Sequence, residues 1–280
     1  MKRCRYLILL AVAALVGFGL QAWCQTTGFD PATRLVVPGA PALLAVRVYF
    51  WAVPVLALLA CLPLRGTRAP GQGELFGNLG RGSRFLGVLA GLLAAAGGLL
   101  RLAQDLQPLL LKRWASLGSC LVDVLLCLGG ACLGWLASGP RRPKPRSVAA
   151  LIPGFGACFW LITFYHTQSR DPIVVRYVWT LLCLMAAVLA LYNQAAYCFG
   201  RPAPVRTQFF TLTAGAYAFA ALPSAADLSQ SLLLTGLGCW MLLQSYLVPN
   251  LTPPEEAGPG EQAPHAIPEQ PEKPAPGEES

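Results

Sequence analysis

Eight blocks of apolar residues, each about 17 to 26 residues long, fill most of the first 250 residues of this chain. A helix needs about 20 such residues to cross the hydrocarbon core of a bilayer. The blocks lack the alternation of a membrane strand, and a helix satisfies all of its own backbone polar groups in lipid. The sequence therefore predicts an all-α, polytopic integral membrane bundle. The predicted spans are residues 5–23, 42–63, 84–103, 116–137, 147–166, 174–199, 207–223 and 229–248.

The composition agrees with a lipid environment. Hydrophobic residues make up 55% of the chain and charged residues only 12%, whereas a soluble domain carries about 25% charged residues. The net charge of +8 could suggest a nucleic acid partner, but basic residues gathered in cytoplasmic loops explain it without one. The expected partner is the lipid bilayer, and nucleic acid is not expected.

The basic residues also predict the orientation of the bundle. If the N-terminus is cytoplasmic, thirteen Lys and Arg residues fall on the inner side and six on the outer side, which is the usual bias. We therefore predict a protein of the cell (plasma) membrane with both termini in the cytoplasm. The first block also has the layout of a cleavable signal peptide, but the bulky Trp23 stands where cleavage needs small residues, so we favour a retained span.

The end of the chain has a different composition from the membrane domain, residues 1–249. Residues 250–280 are rich in Pro and Glu and contain no aromatic residue. Such a segment cannot bury enough apolar surface to offset the entropy lost on ordering. We predict a disordered cytoplasmic tail, with a docking segment for a partner as the alternative.

A short motif occurs twice in the chain. Residues 26–31 and 167–172 both read T-x-x-x-D-P, and each precedes an even-numbered span on the outer side. Asp at the N-cap followed by Pro favours the start of a helix, so Asp30 and Asp171 are predicted outer-loop caps. The motif suggests a parallel duplication of four spans plus four, and chance convergence of two helix starts is the alternative.

Two ionisable residues lie well inside predicted spans. Arg47 falls about six residues into the second span and Asp123 about eight residues into the fourth, both counted from the outer side. Ionisable groups within a membrane are costly and mark functional sites by default. We predict an intramembrane charged pair, which either lines a solute site or is a static contact between helices. His166, at the outer end of the fifth span, is a candidate titrating residue or an ordinary interfacial histidine.

Glycine pairs predict close packing between helices. Gly87 with Gly91, and Gly130 with Gly134, form G-x-x-x-G motifs in the third and fourth spans. Such small residues let two helix backbones approach each other. Polar residues near the inner helix ends are expected to form hydrogen bonds between helices.

The sequence contains no catalytic motif, cofactor fingerprint or cluster of metal ligands. It has no P-loop, H-E-x-x-H or G-x-S-x-G, and its ten cysteines form no C-x-x-C pair. Most of the cysteines lie within apolar blocks, where free thiols pack as small hydrophobic groups. No catalytic residue, cofactor or metal is predicted, and an enzymatic function is not favoured.

Several short stretches resemble a known group of proteins. They are Phe159–Tyr165, Asp171–Pro172, Leu189–Tyr192, Phe199–Gly200 and Phe29–Thr33. In these stretches the chain resembles uncharacterised polytopic inner-membrane proteins of anaerobic Gram-positive bacteria. The resemblance implies a multi-span bacterial membrane protein, and it implies no substrate and no site residue.

Two functional hypotheses remain open. The first is a transporter or permease-like protein for a small solute, with Arg47 and Asp123 lining its site. The second is a non-transporting scaffold or sensor that contacts a partner protein through its outer loops or tail. An enzyme acting on a lipid is a distant third. A water-filled path to the charged pair distinguishes the first hypothesis from the second.

Overall fold

The structure is a computed structural model that describes residues 5–30, 35–37, 39–64, 79–110, 117–138, 143–169 and 177–250. These ranges contain eight α-helices, one in each apolar block, so the predicted all-helical fold is confirmed. The helices are α1 (Arg5–Thr27), α2 (Pro41–Cys61), α3 (Arg81–Leu110), α4 (Leu117–Ala137), α5 (Pro143–Gln168), α6 (Val178–Cys198), α7 (Pro204–Ala221) and α8 (Leu228–Leu247).

Six of the described helices, α1 to α6, are long and apolar enough to cross a membrane. Helices α7 and α8 are 18 and 20 residues long and carry several Thr, Ser and Gln residues. Most of these polar residues are buried, so protein rather than lipid surrounds them. The six apolar helices fit a multi-span membrane protein.

Helices α3 to α8 form a closed ring. Each packs against the next along the chain, and α8 closes the ring by packing against α3. Ser147, near the start of α5, donates a hydrogen bond to the carbonyl of Cys198 at the end of α6. Gln208, near the start of α7, donates one to the carbonyl of Ser245 near the end of α8. Neighbouring helices therefore alternate in direction. We call the side that holds the starts of α3, α5 and α7 the start side, and the other the far side.

Glycines permit the closest helix approaches in the ring. A side chain at Gly91 would collide with the backbone of Gly134, and one at Gly130 with the backbone of Ala95. Helices α3 and α4 therefore touch through their backbones, and the two G-x-x-x-G motifs lie at this interface. Gly236 of α8 approaches the backbone of α3 in the same way.

The hairpin of α1 and α2 packs outside the ring, against α7. Only five of the 23 residues of α1 and six of the 21 residues of α2 are buried. The hydroxyl of Tyr49 on α2 donates to the carbonyl of Ala13 on α1 at 2.9 Å, and the hydroxyl of Tyr217 on α7 donates to the carbonyl of Phe50 at 2.8 Å. The first bond links α2 to α1, and the second links α2 to α7 of the ring.

The segment between α1 and α2 contradicts one sequence prediction. After α1 the chain folds back on itself, and the N–H of Asp30 donates to the carbonyl of Leu35 at 2.9 Å. Helix α2 begins only at Pro41, after Ala40, which makes no side-chain cap. Asp30 is therefore not the helix cap that its D-P sequence predicted, because α2 begins eleven residues later, at Pro41.

The helix order gives the predicted duplication no support. Helix α6 packs along α7, whereas the described part of α2 packs mainly on α1 and α7 instead of along α3. In the second copy of the motif, Asp171 and Pro172 lie outside the described residues, and so does the predicted tail beyond Asn250.

Candidate functional site on the axis of the helix ring

Asp123 is a buried carboxylate at the interface of α3 and α4. Its side chain is 1% exposed, and its Oδ1 lies 3.0 Å from Nε of Arg101 on α3. The contact is an ion pair without the alignment of a hydrogen bond, and the carboxyl group also lies within hydrogen-bonding reach of the Asp105 side chain on α3. Because taking an ion out of water is costly, a carboxyl group buried at this interface depends on these two partners.

The predicted pairing of Asp123 with Arg47 is wrong. Arg47 is exposed on α2, and α2 packs against α1 and α7, whereas α4 packs against α3 and α5. Helix α3 continues to Leu110, so Arg101, which the charge count assigned to the outer side, reaches Asp123 from the adjacent helix. The sequence thus singled out the carboxylate that is buried here, but not the arginine beside it.

Arg101 and Asp105 lie on the inner face of α3. They follow Ala94 by seven and eleven residues, spacings that return to the same face of a helix, and Ala94 lines a cavity inside the ring. Asp105 also interacts electrostatically with Asp123. The far end of the ring axis therefore holds one Arg and two Asp side chains.

The middle of the ring axis is apolar. It holds a cavity of about 40 Å³ whose lining comes from α3, α4, α5, α6 and α8. Leu133 of α4, Trp160 of α5 and Leu237 of α8 are among the lining residues. Small apolar cavities stay dry, so this constriction separates the two ends of the axis.

On the start side of the constriction, polar side chains again lie along the axis. The indole Nε1 of Trp240 on α8 donates to Oε1 of Gln194 on α6 at 2.8 Å, and both side chains are buried. Gln244 follows Leu237 by seven residues and so shares its inner face. Gln244 is 1% exposed, and neither atom of its amide has a hydrogen-bond partner among the described residues.

Arg146 brings a positive charge to the same end of the axis. It precedes Pro153 by seven residues on α5, and Pro153 lines the axial cavity, so both residues face the interior of the ring. The Arg146 side chain is buried and acts electrostatically on Cys198 of α6. Charged side chains therefore lie at both ends of the axis, two Asp and one Arg at the far end and Arg146 at the start-side end.

A further polar bridge faces the axis on the far side. Nε2 of Gln230 on α8 donates to the hydroxyl of Thr180 on α6 at 3.3 Å, and Gln230 precedes Leu237 by seven residues. Asp227 caps α8 by accepting a hydrogen bond from the N–H of Gln230 at 2.7 Å. In the sequence, this cap corresponds to the pattern D-x-x-Q at residues 227–230, which is related to the capping box. The pattern was not among the predicted helix caps.

Two of the other predicted site residues lie away from the axis. His166 is exposed in the last turn of α5, and Asp30 lies in the loop after α1. Asp171 lies outside the described residues. Sequence reasoning missed the axis residues Arg101, Asp105, Arg146 and Gln230. Their signal is a spacing of seven or eleven residues from positions that line the constriction, which can be recognised only once the ring is known.

The arrangement supplies fixed charges and hydrogen-bonding groups at two ends of an apolar constriction. In the described ranges, no three His, Cys, Asp or Glu side chains are placed to hold a metal ion together. No family model, curated protein or solved structure matches the chain. The function is therefore inferred from the geometry of the axis.

Proposed function

We propose that the chain is a transporter-like membrane protein that passes a small polar solute along the axis of the α3–α8 ring. All eight helices then cross the membrane, and the start side, together with both termini, faces the cytoplasm. The excess of basic residues on that side supports this orientation. A bacterial cell membrane agrees with the sequence resemblance to inner-membrane proteins of anaerobic Gram-positive bacteria.

The observation that carries the proposal is the set of buried polar side chains on the ring axis. Gln244 is 1% exposed with both amide atoms unpaired among the described residues, and the buried carboxyl group of Asp123 lies beside Arg101 and Asp105. A polar group in a membrane interior costs free energy unless water, protein or a ligand satisfies it. Ionisable residues that face the interior of a bundle are typical of solute pathways.

The apolar middle of the axis fits a closed gate. A narrow apolar segment excludes water and therefore blocks the passage of polar solutes until it widens or becomes hydrated. Leu133 is 4% exposed and Leu237 is 7% exposed, and both line this segment. The structure then corresponds to a closed state, in which the apolar segment blocks passage between the two ends of the axis.

A serine in the constriction tests this proposal. Leu133→Ser places a hydroxyl in the apolar segment, and we expect it to admit water and to speed solute entry several-fold. Entry of urea and glycerol into proteoliposomes is measured by stopped-flow light scattering. Leu128→Ser is the matched control, because Leu128 lies on the outer face of the same helix and is 51% exposed. This control is expected to leave solute entry unchanged.

Equal solute entry for the two serine variants, both folded and inserted, would contradict transport along the axis. The alternative is then a scaffold or sensor in which Arg101 and Asp123 form a static pair. Capture of a partner protein that depends on an exposed loop, and not on the axis residues, would support that alternative.

A further inference from the structure

A groove between α1 and α2 lies on the lipid-facing side of the hairpin, away from the ring axis. Its volume is about 860 Å³, far larger than that of the axial cavity. Side chains of α1 and α2 form its walls, and Leu212 and Ala216 of α7 form part of its floor. Because the groove shares no lining residue with the axial cavity, a ligand here does not depend on transport through the ring.

The groove is apolar along its length. Ala45, Ala52 and Ala57 on α2 line it, and small side chains at these positions leave space between the two helices. The hydroxyl of Tyr49 lies at the groove, but it donates to the carbonyl of Ala13 and is thereby satisfied. Such a surface favours hydrocarbon over a polar ligand.

One end of the groove carries positive charge. Among the described lining residues, Arg5 alone is charged, and it is exposed at the start of α1. Lys2 and Arg3 precede it in the sequence. Basic side chains at the start of a membrane helix lie near the headgroups and attract anionic lipids. The charge at this end therefore favours a ligand with an acidic head and an apolar chain.

The length of the groove agrees with such a ligand. The lining of α1 runs from Arg5 to Leu20, and fifteen residues of helix rise about 22 Å. The hydrocarbon of one leaflet is about 15 Å thick. An acyl chain whose headgroup lies at Arg5 can therefore be contained in the groove.

We propose that this groove is a binding site for an anionic phospholipid of the leaflet on the start side. The phosphate lies beside Arg5, and one acyl chain lies between α1 and α2 against α7. The bound lipid fills the gap that the two hairpin helices leave and so stabilises the contact of the hairpin with the ring.

Photocrosslinking of the full chain tests this site. The protein is reconstituted in phosphatidylcholine vesicles that contain a trace of phosphatidylglycerol with a photoreactive acyl chain, and crosslinked peptides are mapped by mass spectrometry. We expect crosslinks at the walls of the groove, several-fold more frequent than with the matching photoreactive phosphatidylcholine. Arg5→Gln should remove this preference, whereas Arg201→Gln, at an exposed position between α6 and α7, should keep it.

A bulky residue in the groove provides a second readout. Ala52→Trp should lower crosslinking in the groove several-fold, and Val55→Trp, on an exposed part of α2 that does not line the groove, should not. If Ala52→Trp does not fold, Ala45→Phe replaces it. Crosslinks spread evenly over all lipid-facing residues, or equal yields for the two lipids, would overturn the proposal. A disulfide between two copies carrying Val48→Cys, formed in place of lipid crosslinks, would instead assign the groove to a dimer interface.

Discussion

The α1–α2 hairpin and the central pair α7–α8 contain different types of residue. The hairpin helices are among the most apolar of the chain, yet only five and six of their residues are buried. Helices α7 and α8 are too polar to qualify as spans by composition, yet 12 and 13 of their residues are buried. Apolar composition therefore measures contact with lipid, and it does not measure how central a helix is to the bundle.

The difference has a physical cause. A helix that faces lipid must present hydrocarbon, whereas a helix enclosed by other helices can carry Thr, Ser and Gln, because protein satisfies those groups. Gln194 and Gln230 show this, since each bonds to a residue on another ring helix. Substitutions in the central helices should therefore cost much more than matched substitutions in the hairpin.

The largest difference in the free energy of unfolding is expected between substitutions of two tryptophans. Trp240 of α8 is 0% exposed, and Trp51 of α2 is 65% exposed. Trp240→Ala leaves a cavity and an unpaired Gln194, and we expect it to lower the free energy of unfolding in detergent by about 4 kcal/mol. Trp51→Ala should change it by less than about 0.5 kcal/mol. Similar losses in the two variants would remove the distinction between centre and hairpin.

A second pair of variants concerns the charged contact. Arg101→Met leaves the carboxylate of Asp123 buried without its partner, and we expect a loss of about 3 kcal/mol in the free energy of unfolding. Arg47→Met, in the hairpin, should have almost no effect because Arg47 is exposed. Adding Asp123→Leu to Arg101→Met should restore part of the loss. A larger loss from Arg47→Met than from Arg101→Met would show that the pairing is wrong.

A third pair of variants compares how closely the helix backbones pack in the central helices and in the hairpin. A Cβ at Gly236 of α8 would lie 2.6 Å from the backbone nitrogen of Ala94, whereas one at Gly19 of α1 meets nothing within 4 Å. Gly236→Ala should therefore lower the free energy of unfolding by about 2 kcal/mol through overpacking. Gly19→Ala should be neutral or slightly stabilising in the same denaturation experiment, and destabilisation by both variants would contradict the packing described.

The smallest expected effect concerns how the helices begin. Helix α8 has a side-chain cap at Asp227, whereas α2 begins after Ala40 without one. Asp227→Ala should cost about 1 kcal/mol of stability, and Asp227→Asn, which keeps an acceptor oxygen, should cost less. If both variants lose the same amount, the side-chain oxygen of residue 227 does not act as a cap.

The sequence predicts the local elements of this fold well. The eight apolar blocks locate the eight helices of the described residues, because the need for apolar length acts on each segment separately. Asp123 was identified for the same reason, since a carboxylate within an apolar block stands out without knowledge of its neighbours. The G-x-x-x-G motifs at Gly91 and Gly130 likewise indicate a close contact from one helix alone.

The predictions that failed depend on which helices are neighbours. Arg47 and Arg101 both lie near the outer ends of predicted spans, and only the packing of α4 against α3 decides between them. The predicted cap at Asp30 failed because the chain pairs with itself at Leu35 before α2 begins. The polar ends of the axis could not be predicted, because a helix face points inward only once six helices have closed into a ring.

Labelling along α8 tests the central claim that the ring spans the membrane with a polar segment at each end of a dry middle, and that each polar segment becomes accessible to water from its own side during transport. Single cysteines replace Gln230, Leu237 and Gln244 in a protein without native cysteines, and a membrane-impermeant maleimide is applied to each side of oriented vesicles. We expect position 230 to react from one side, position 244 from the opposite side, and position 237 from neither. Reaction of 230 and 244 from the same side, or of neither residue from any side, would contradict the account.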